Sequence, residues 1–390
     1  MWRSVYVPSV LMAIGEGMLV PVLPIYVAAL GAPFWLVGLV LAAESLGMLA
    51  GDVPAGSLLR RVDRKVIMLL GVGIVGLAVA GLAAVEGVLP VLLLRLAAGV
   101  GSALWGLSRH AFLATSVPAR QRGRAIAAFG GAQRVGFLIG PALGGAIAAA
   151  GGYDAAFLAY AAVAVAAFAI FAVFLERAPV VATPGVRHAG SLASVASVVQ
   201  QHGRVLAAAG AGSLMAQAIR AGRKIVIPLF GATALGLSVE QVGWVLSLGA
   251  AFDVTLFPVA GWVMDRFGRK HAIVPSFLLQ AVGMALVPLS GGFVGLALAS
   301  SLIGFGNGLG SGTMMTVGAD LAPEDAVGEF LGVWRLIGDG GAMGGPVVVG
   351  ALADLLTLPA ATLAIALVGV GAALTFAYGV PETRRPPVAL

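Results

Sequence analysis

Charged side chains interrupt stretches that are otherwise as apolar as a lipid tail: the acids Glu16, Glu44, Asp52, Asp253 and Asp339, and the bases Arg95, Arg134, Arg220, Arg223, Lys224 and Arg335. At about 3 kcal/mol for each charge at a bilayer centre, leaving all of them in lipid costs on the order of 30 kcal/mol. A domain has only about 5–15 kcal/mol of stability to lose. These groups must therefore pair, snorkel to an interface or line water. A carboxyl in dry surroundings holds its proton more tightly and a nearby cation loosens it again. An acid whose surroundings alternate can thus take up a proton on one side of a membrane and release it on the other. Arg220, Arg223 and Lys224 share one helix face, because separations of three and four residues do, and Arg335 lies one turn from Asp339 on the same side. The neutral amides of Gln133, Gln217 and Asn307 add hydrogen-bonding capacity at comparable depths.

Other chemistries are not written in the chain. It has no cysteine, which leaves no thiolate metal site and no disulfide framework. There is no phosphate-cradling G-x4-G-K-[S/T] loop and no G-x-S-x-G or H-E-x2-H pattern. The four histidines, His110, His188, His202 and His271, fall near span ends or in the linker. The reading is of a non-enzyme without metal or cofactor. The basic balance of +6 does not indicate nucleic acid either, because the basic residues sit in short loops.

The elements that must position these charges are membrane helices. With 60% hydrophobic residues in 390, the chain has more apolar surface than one soluble core buries. Its apolar stretches of about twenty residues match the length needed to cross the bilayer as helices. Twelve spans are expected: 5–29, 36–59, 66–85, 88–108, 125–148, 155–175, 205–230, 241–263, 271–290, 293–314, 329–350 and 357–379. The first lacks a short apolar core followed by a small-residue cleavage site and reads as a retained span.

Lysines and arginines test this layout. With a cytoplasmic N-terminus, one side collects Arg3, Arg60, Arg61, Arg64, Lys65 and Arg109, then Arg120, Arg122, Arg124, Arg177, Arg187 and Arg204, then Arg266, Arg269, Lys270, Arg384 and Arg385. The other side collects none; its loops hold Glu86, Asp154, Glu240 and Asp354. Both termini are expected in the cytoplasm. The prevalence of Gly, Ala, Val and Arg over Lys and Asn suits a GC-rich prokaryote and hence its inner membrane.

The two halves superpose at an offset of 205 residues without a gap: Val37-Gly38 falls on Val242-Gly243, Gly56 on Gly261, Arg64-Lys65 on Arg269-Lys270, Pro118 on Pro323, Gly123 on Gly328 and Pro141 on Pro346. Six spans per half give a parallel repeat about an axis along the membrane normal. The expected division is a six-helix bundle at 1–177, a cytoplasmic linker at 178–204 and a second bundle at 205–390. Within the linker, the apolar positions of 192–199 suit either a surface-lying segment or an unstructured tether.

Short motifs mark the hairpins. Gly261, Asp265, Arg266, Gly268, Arg269 and Lys270 end one helix and turn into the next, Gly268 permitting a tight reversal. This stretch resembles the loop 2–3 signature G-x-L-x-D-R-x-G-R-K of the major facilitator superfamily. Its twin from Gly56 to Lys65, "GSLLRRVDRK", departs from it, with Arg60 in place of the acid and Asp63 in place of the glycine. The resemblance implies a latch formed by that acid; here Arg60, Arg61 and Arg64 either replace it by facing Asp320, Glu324, Asp325 and Glu329 or are plain solvated charge. "RVGFLIGPALGG" carries Gly136, Gly140, Pro141, Gly144 and Gly145 and resembles the antiporter signature G-x3-G-P-x2-G-G of drug-exporting members. Arg95 before Gly99 resembles L-x3-R-x2-Q-G with Ala98 for Gln, and "GEGMLVPVLPIY" resembles the Pro-rich element of the same exporters.

The resemblance covers nearly the whole chain. It implies an all-α integral membrane protein of twelve helices in two parallel six-helix repeats, resembling the drug:proton antiporter branch, in which substrate and coupled protons cross by alternating access. In that fold helices 1 and 7 border a central cavity, bringing Glu16 and Arg220 to face each other at mid-membrane, while helix 8 packs beside helix 5 and offers Asp253 to Arg134. Glu44 and Arg95 are structural partners or part of the same coupling system, and Asp52 braces the cytoplasmic hairpin. Met12, Tyr26, Trp105 and Phe137 of the first half, with Met215, Trp244 and Phe305 of the second, are candidate cavity-lining residues. The expected activity is proton-coupled export of amphipathic small molecules by a monomer. An importer or exchanger of organic anions or zwitterions, and a transport-inactive receptor, remain open alternatives.

Overall fold

The computed structural model describes residues 6–59, 61–116, 119–175 and 192–384. Among them there is no strand. The helices are α1 (Val7–Ala29), α2 (Phe34–Leu58), α3 (Arg64–Leu82), α4 (Val88–Ser116), α5 (Ala119–Phe174), α6 (Leu192–Leu229), α7 (Val239–Arg266), α8 (Arg269–Leu286), α9 (Phe293–Leu309), α10 (Thr313–Leu321), α11 (Val327–Leu355) and α12 (Leu358–Leu374). Ten helical stretches among the described residues are long and apolar enough to cross a membrane. One of these, Gly130–Phe174, is interrupted at Gly152, where φ of 83° ends one helix and starts another. The loop expected at 149–154 is thus compressed to a kink. The span expected at 205–230 lies inside α6 and is not among the ten; its own cations dilute its hydropathy.

The chain divides into two compact units, residues 1–182 with 227–250, and residues 183–226 with 251–390. In the N-terminal unit α1 lies along α5, and α4 lies between α2 and α3. Phe157, Phe171, Met18, Leu23 and Met68 are fully buried there. In the C-terminal unit α8 packs on α9 and α12, and Phe277, Phe330, Phe376 and Ile219 are fully buried in that unit.

Lipid supplies little drive to press apolar helices together, so close backbone approach at small residues carries much of the packing. A Cβ added at Gly140 would lie 2.5 Å from the Ile14 carbonyl oxygen, and at Gly144 2.5 Å from that of Met18. The counterpart helix repeats the device: a Cβ on Gly341 would lie 2.0 Å from the Leu214 carbonyl oxygen and one on Gly345 2.5 Å from that of Ala218.

Three expectations change. Helix α4 runs eight residues past the expected end at 108, to Ser116, so Arg109 belongs to a helix interior and not to a loop. The second part of the linker is not an unstructured tether: residues from Leu192 are helical, and Val198 and Leu206 bury against Phe330, with the His202 ring 6.4 Å from that of Phe330. The span expected at 293–314 is two helices, α9 and α10, separated at Gly310–Gly312. "GFGNGLGSG" places glycine at every second position from Gly304 to Gly312, the signal for that break.

Candidate functional site

In the N-terminal unit, α2 and α4 meet backbone to backbone. A Cβ on Gly47 would stand 2.1 Å from the Leu96 carbonyl oxygen, and one on Gly99 2.1 Å from that of Glu44. One turn away, Arg95 donates to Glu44 in an ion pair whose side chains are 7% and 20% exposed. The glycines bring the helices close enough for that pair to form, which accounts for the spacing of Arg95 and Gly99. The Tyr160 ring covers Gly15, where a Cβ would come within 1.9 Å of it. Glu16, Glu44 and Arg95 lie within electrostatic reach of the Tyr160 hydroxyl, and Glu16 within reach of Arg109. Arg109 is 4% exposed, with its guanidinium 4.1 Å from the centre of the Trp105 ring. Four helices thus gather Glu16, Glu44, Arg95, Arg109 and Tyr160 in one interior region.

Arg109 and Tyr160 escape a reading of the sequence for different reasons. Arg109 sits where an expected span ends and reads as a loop residue, whereas α4 continues through it to Ser116. Tyr160 carries no charge and lies in an alanine-rich span; Gly15, next to Glu16, is its one local signal.

The antiporter-like signature in α5 has two working faces. Gly136, Gly140 and Gly144 receive α1. Pro141 and Gly145 receive the first turns of α7: a Cβ on Gly243 would be 2.4 Å from the Pro141 carbonyl oxygen, and one on Gly145 2.6 Å from that of Val239. Proline strains the local helical ladder, and the Ala142 N–H donates to the Ser247 hydroxyl at 3.0 Å.

In the C-terminal unit, Arg220 on α6 reaches the break between α9 and α10. Its Nη2 donates to the Gly310 carbonyl at 2.9 Å, its Nη1 to Gln217 Oε1 at 3.2 Å, and its guanidinium lies 5.1 Å from the centre of the Phe277 ring. Asp253 on α7 accepts from the Asn307 amide at 2.9 Å, one turn before the break. Arg223 is half-buried and Lys224 exposed. Arg335 and Asp339 pair at 3.5 Å with both side chains largely exposed. Of the candidate cavity residues, Met12, Tyr26 and Trp105 are buried within their own unit, whereas Trp244 and Phe305 are exposed. Tyr26 donates its hydroxyl to the Val85 carbonyl and packs against Phe157, which gives it a structural duty. Phe137 is half-buried on α5, as is Arg134, and Met215 lies against Gly371.

The motif hairpins form two further clusters. In the first, Asp63 accepts from the Lys65 N–H at 2.7 Å and caps α3; Arg60 falls outside the described residues. In the second, Arg269 donates to Asp320 at 3.0 Å, to the Met264 carbonyl at 2.9 Å and to Asp265 at 3.3 Å. Asp320, expected to serve the first hairpin's arginines, also accepts from the Thr383 hydroxyl at 2.9 Å. Glu382 accepts from the backbone N–H groups of Arg269, Lys270 and Arg384. Sequence reading passed over Glu382 because a lone acid after the last span looks like a solvated tail.

A family model described as Major Facilitator Superfamily matches residues 6–219 and 212–390. The chain is 27% identical over 408 residues to the enterobactin exporter EntS of Salmonella typhi, covering 99% of this chain and 95% of that protein. It is 28% identical over 109 residues, 27% of each chain, to the multidrug resistance protein MdtH of Klebsiella pneumoniae. The crystal structure of the nucleoside transporter NupG aligns with a TM-score of 0.77 at 15% identity, over 95% of this chain and 97% of that one, which establishes a shared fold.

Proposed function

Because the chain belongs to the major facilitator superfamily, we propose that this multi-pass membrane transporter exports amphipathic small molecules in exchange for protons. It works as a monomer of twelve helices in the inner membrane, both termini in the cytoplasm, with six-helix bundles at 1–177 and 205–390 joined by a linker at 178–204. The two bundles rock about a central site by alternating access. Similarity to an enterobactin exporter along almost the entire chain supports the direction of transport.

What supports the proton-coupled reading is the buried Glu44–Arg95 pair together with Arg109 against the Trp105 ring and the Tyr160 ring over Gly15, the neighbour of Glu16. Glu16 is the proton carrier in this reading, and a rearrangement that alters its surroundings alters its proton affinity. Arg134, Asp253, Asp339 and Arg335 are assigned to the same charge system, and Arg220, Arg223 and Lys224 to cargo orientation. The glycine face of α5 gives α1 and α7 smooth surfaces on which to move.

Transport of ethidium into everted vesicles under an imposed pH gradient tests this reading. Wild-type protein accumulates the dye and dissipates the gradient; Glu16→Gln abolishes both. Dye accumulation that persists in Glu16→Gln with unchanged proton movement rejects the assignment.

A further inference from the structure

The turn of α4 that carries Arg109 holds two donors that the transport reading leaves unused. Trp105 is 7% exposed and Ser108 fully buried. Among the described residues, neither the Trp105 indole Nε1–H nor the Ser108 hydroxyl has a hydrogen-bond partner. Both kinds of group normally find one. The indole of Trp334, buried in the C-terminal unit, donates to the Met314 carbonyl at 3.1 Å. Thr362, fully buried in α12, bonds back to the Leu358 carbonyl at 2.8 Å, the usual resort of a hydroxyl inside a helix. Ser108 makes no such bond.

Residues three apart on a helix share a face, so the two donors can converge on one acceptor. Close packing fixes the turn that bears them: a Cβ on Gly71 of α3 would stand 2.6 Å from the Trp105 backbone nitrogen and 2.9 Å from its Cβ. The Arg109 guanidinium lies over the Trp105 ring, 4.1 Å from its centre. A face of the indole is thereby taken, and its positive edge, which bears the N–H, is left for an acceptor. Glu16 lies within electrostatic reach of Arg109, so an anion arriving there meets a carboxylate as well as a guanidinium. An uncharged oxygen meets no such opposition.

We propose that Trp105 and Ser108 form a two-donor site for an uncharged acceptor oxygen on the cargo: the carbonyl of a ketone, ester or amide carried on an aromatic or aliphatic frame. The inference rests on the export reading and specifies its cargo further. Both donor atoms are covered in this conformation, and alternating access provides the one in which they are reached. A buried donor without an acceptor destabilises the conformation that contains it. Cargo that brings the acceptor removes that penalty, so the site tells apart molecules of one shape by a single oxygen.

The test uses the full chain in nanodiscs with benzophenone as probe and gem-diphenylethylene, in which a methylene group replaces the carbonyl oxygen, as its isostere. Affinities are read by thermal shift and corrected for partition into protein-free nanodiscs. The Trp105 hydrogen bond is read from the indole resonance Raman band that Trp105→Phe removes. Benzophenone is expected to bind about fivefold more tightly than the hydrocarbon and to move that band to its hydrogen-bonded position. Trp105→Phe keeps a ring for Arg109 to stack on and Ser108→Ala nearly keeps the volume; each is expected to lower the preference about twofold or more. Without probe, Ser108→Ala is expected to unfold no earlier than the wild type, because it removes a donor that has nothing to bond. Earlier unfolding means that a trapped water held the hydroxyl, and it overturns the proposal. Equal corrected affinities in the wild type, or a preference unchanged in both variants, overturn it as well. If Trp105→Phe does not fold, Ser108→Ala decides: an unchanged preference overturns the proposal. Ethidium export by vesicles that show no benzophenone preference sinks this inference alone. A benzophenone preference without pH-driven ethidium export sinks the export reading and leaves the two-donor site standing.

Discussion

The two motif hairpins occupy equivalent positions in the repeat and solve one problem differently. Both anchor their lysine in the same way: Lys65 Nζ donates to the Ala172 carbonyl at 2.7 Å and Lys270 Nζ to the Ala377 carbonyl at 2.7 Å, each partner displaced by the repeat offset. The helix start that follows is another matter. At α3 the cap is local, supplied by Asp63 two residues before the amide it serves. At α8 the equivalent residue is Gly268, at φ 111°, and the cap arrives from Glu382, more than a hundred residues away. A helix N-terminus needs an acceptor for its unpaired N–H groups; the fold does not care how far along the chain that acceptor comes from. What differs is how much else is tied in. The second hairpin, through Glu382, Thr383 and Arg384, binds the tail, α7 and the end of α10 into one network.

The sharpest way to break the second arrangement is Gly268→Ala. The added Cβ would stand 2.6 Å from Glu382 Oε2 on a backbone with positive φ, so a loss of about 2–3 kcal/mol is expected. Thermal unfolding of the purified protein reads it. Asp63→Ala in the first hairpin should cost only about 1 kcal/mol, the loss of one cap. If the two variants unfold alike, the contrast between a local and a remote cap has no energetic content.

Glu382→Ala comes next, at about 1–2 kcal/mol, with faster hydrogen exchange confined to the amides that open α8. The same amides report pH. Burial pushes the Glu382 carboxyl up, but the N–H groups of Arg269, Lys270, Arg384 and Thr383 together hold it below the usual carboxylate range. A depressed pKa contributes stability that is complete above the ordinary carboxylate value and disappears as pH falls through the lowered one. Protection at Arg269 and Lys270 should therefore stay flat from neutrality down to about pH 5 and fall below it. In Glu382→Gln it should not vary with pH over that range. Smallest are Lys65→Met and Lys270→Met, each expected to cost about 0.5–1 kcal/mol; unequal losses would mean that the shared carbonyl anchor is not equivalent in the two repeats.

These same regions mark how far sequence reading reached. Apolar length and the 205-residue offset revealed the helical membrane fold, since both depend on composition and period alone. The glycines of α5 were legible as a packing face, and the Glu44 and Arg95 charges as needing partners. What sequence left out depends on where chains end and meet. Arg109 lies within a helix because α4 continues past the expected end of its span. Glu382 is a cap because the tail returns to α8. Arg220 donates to the Gly310 carbonyl at a helix break, and backbone groups leave no letter in a sequence.

The remote cap also has a consequence for biogenesis. Glu382 is translated 113 residues after Arg269, so the opening turn of α8 emerges from the ribosome without its acceptor and stays frayed until synthesis nears completion. The hairpin at Asp63 needs no such wait. A segment inserted directly behind Thr383 would sit on the clamp itself.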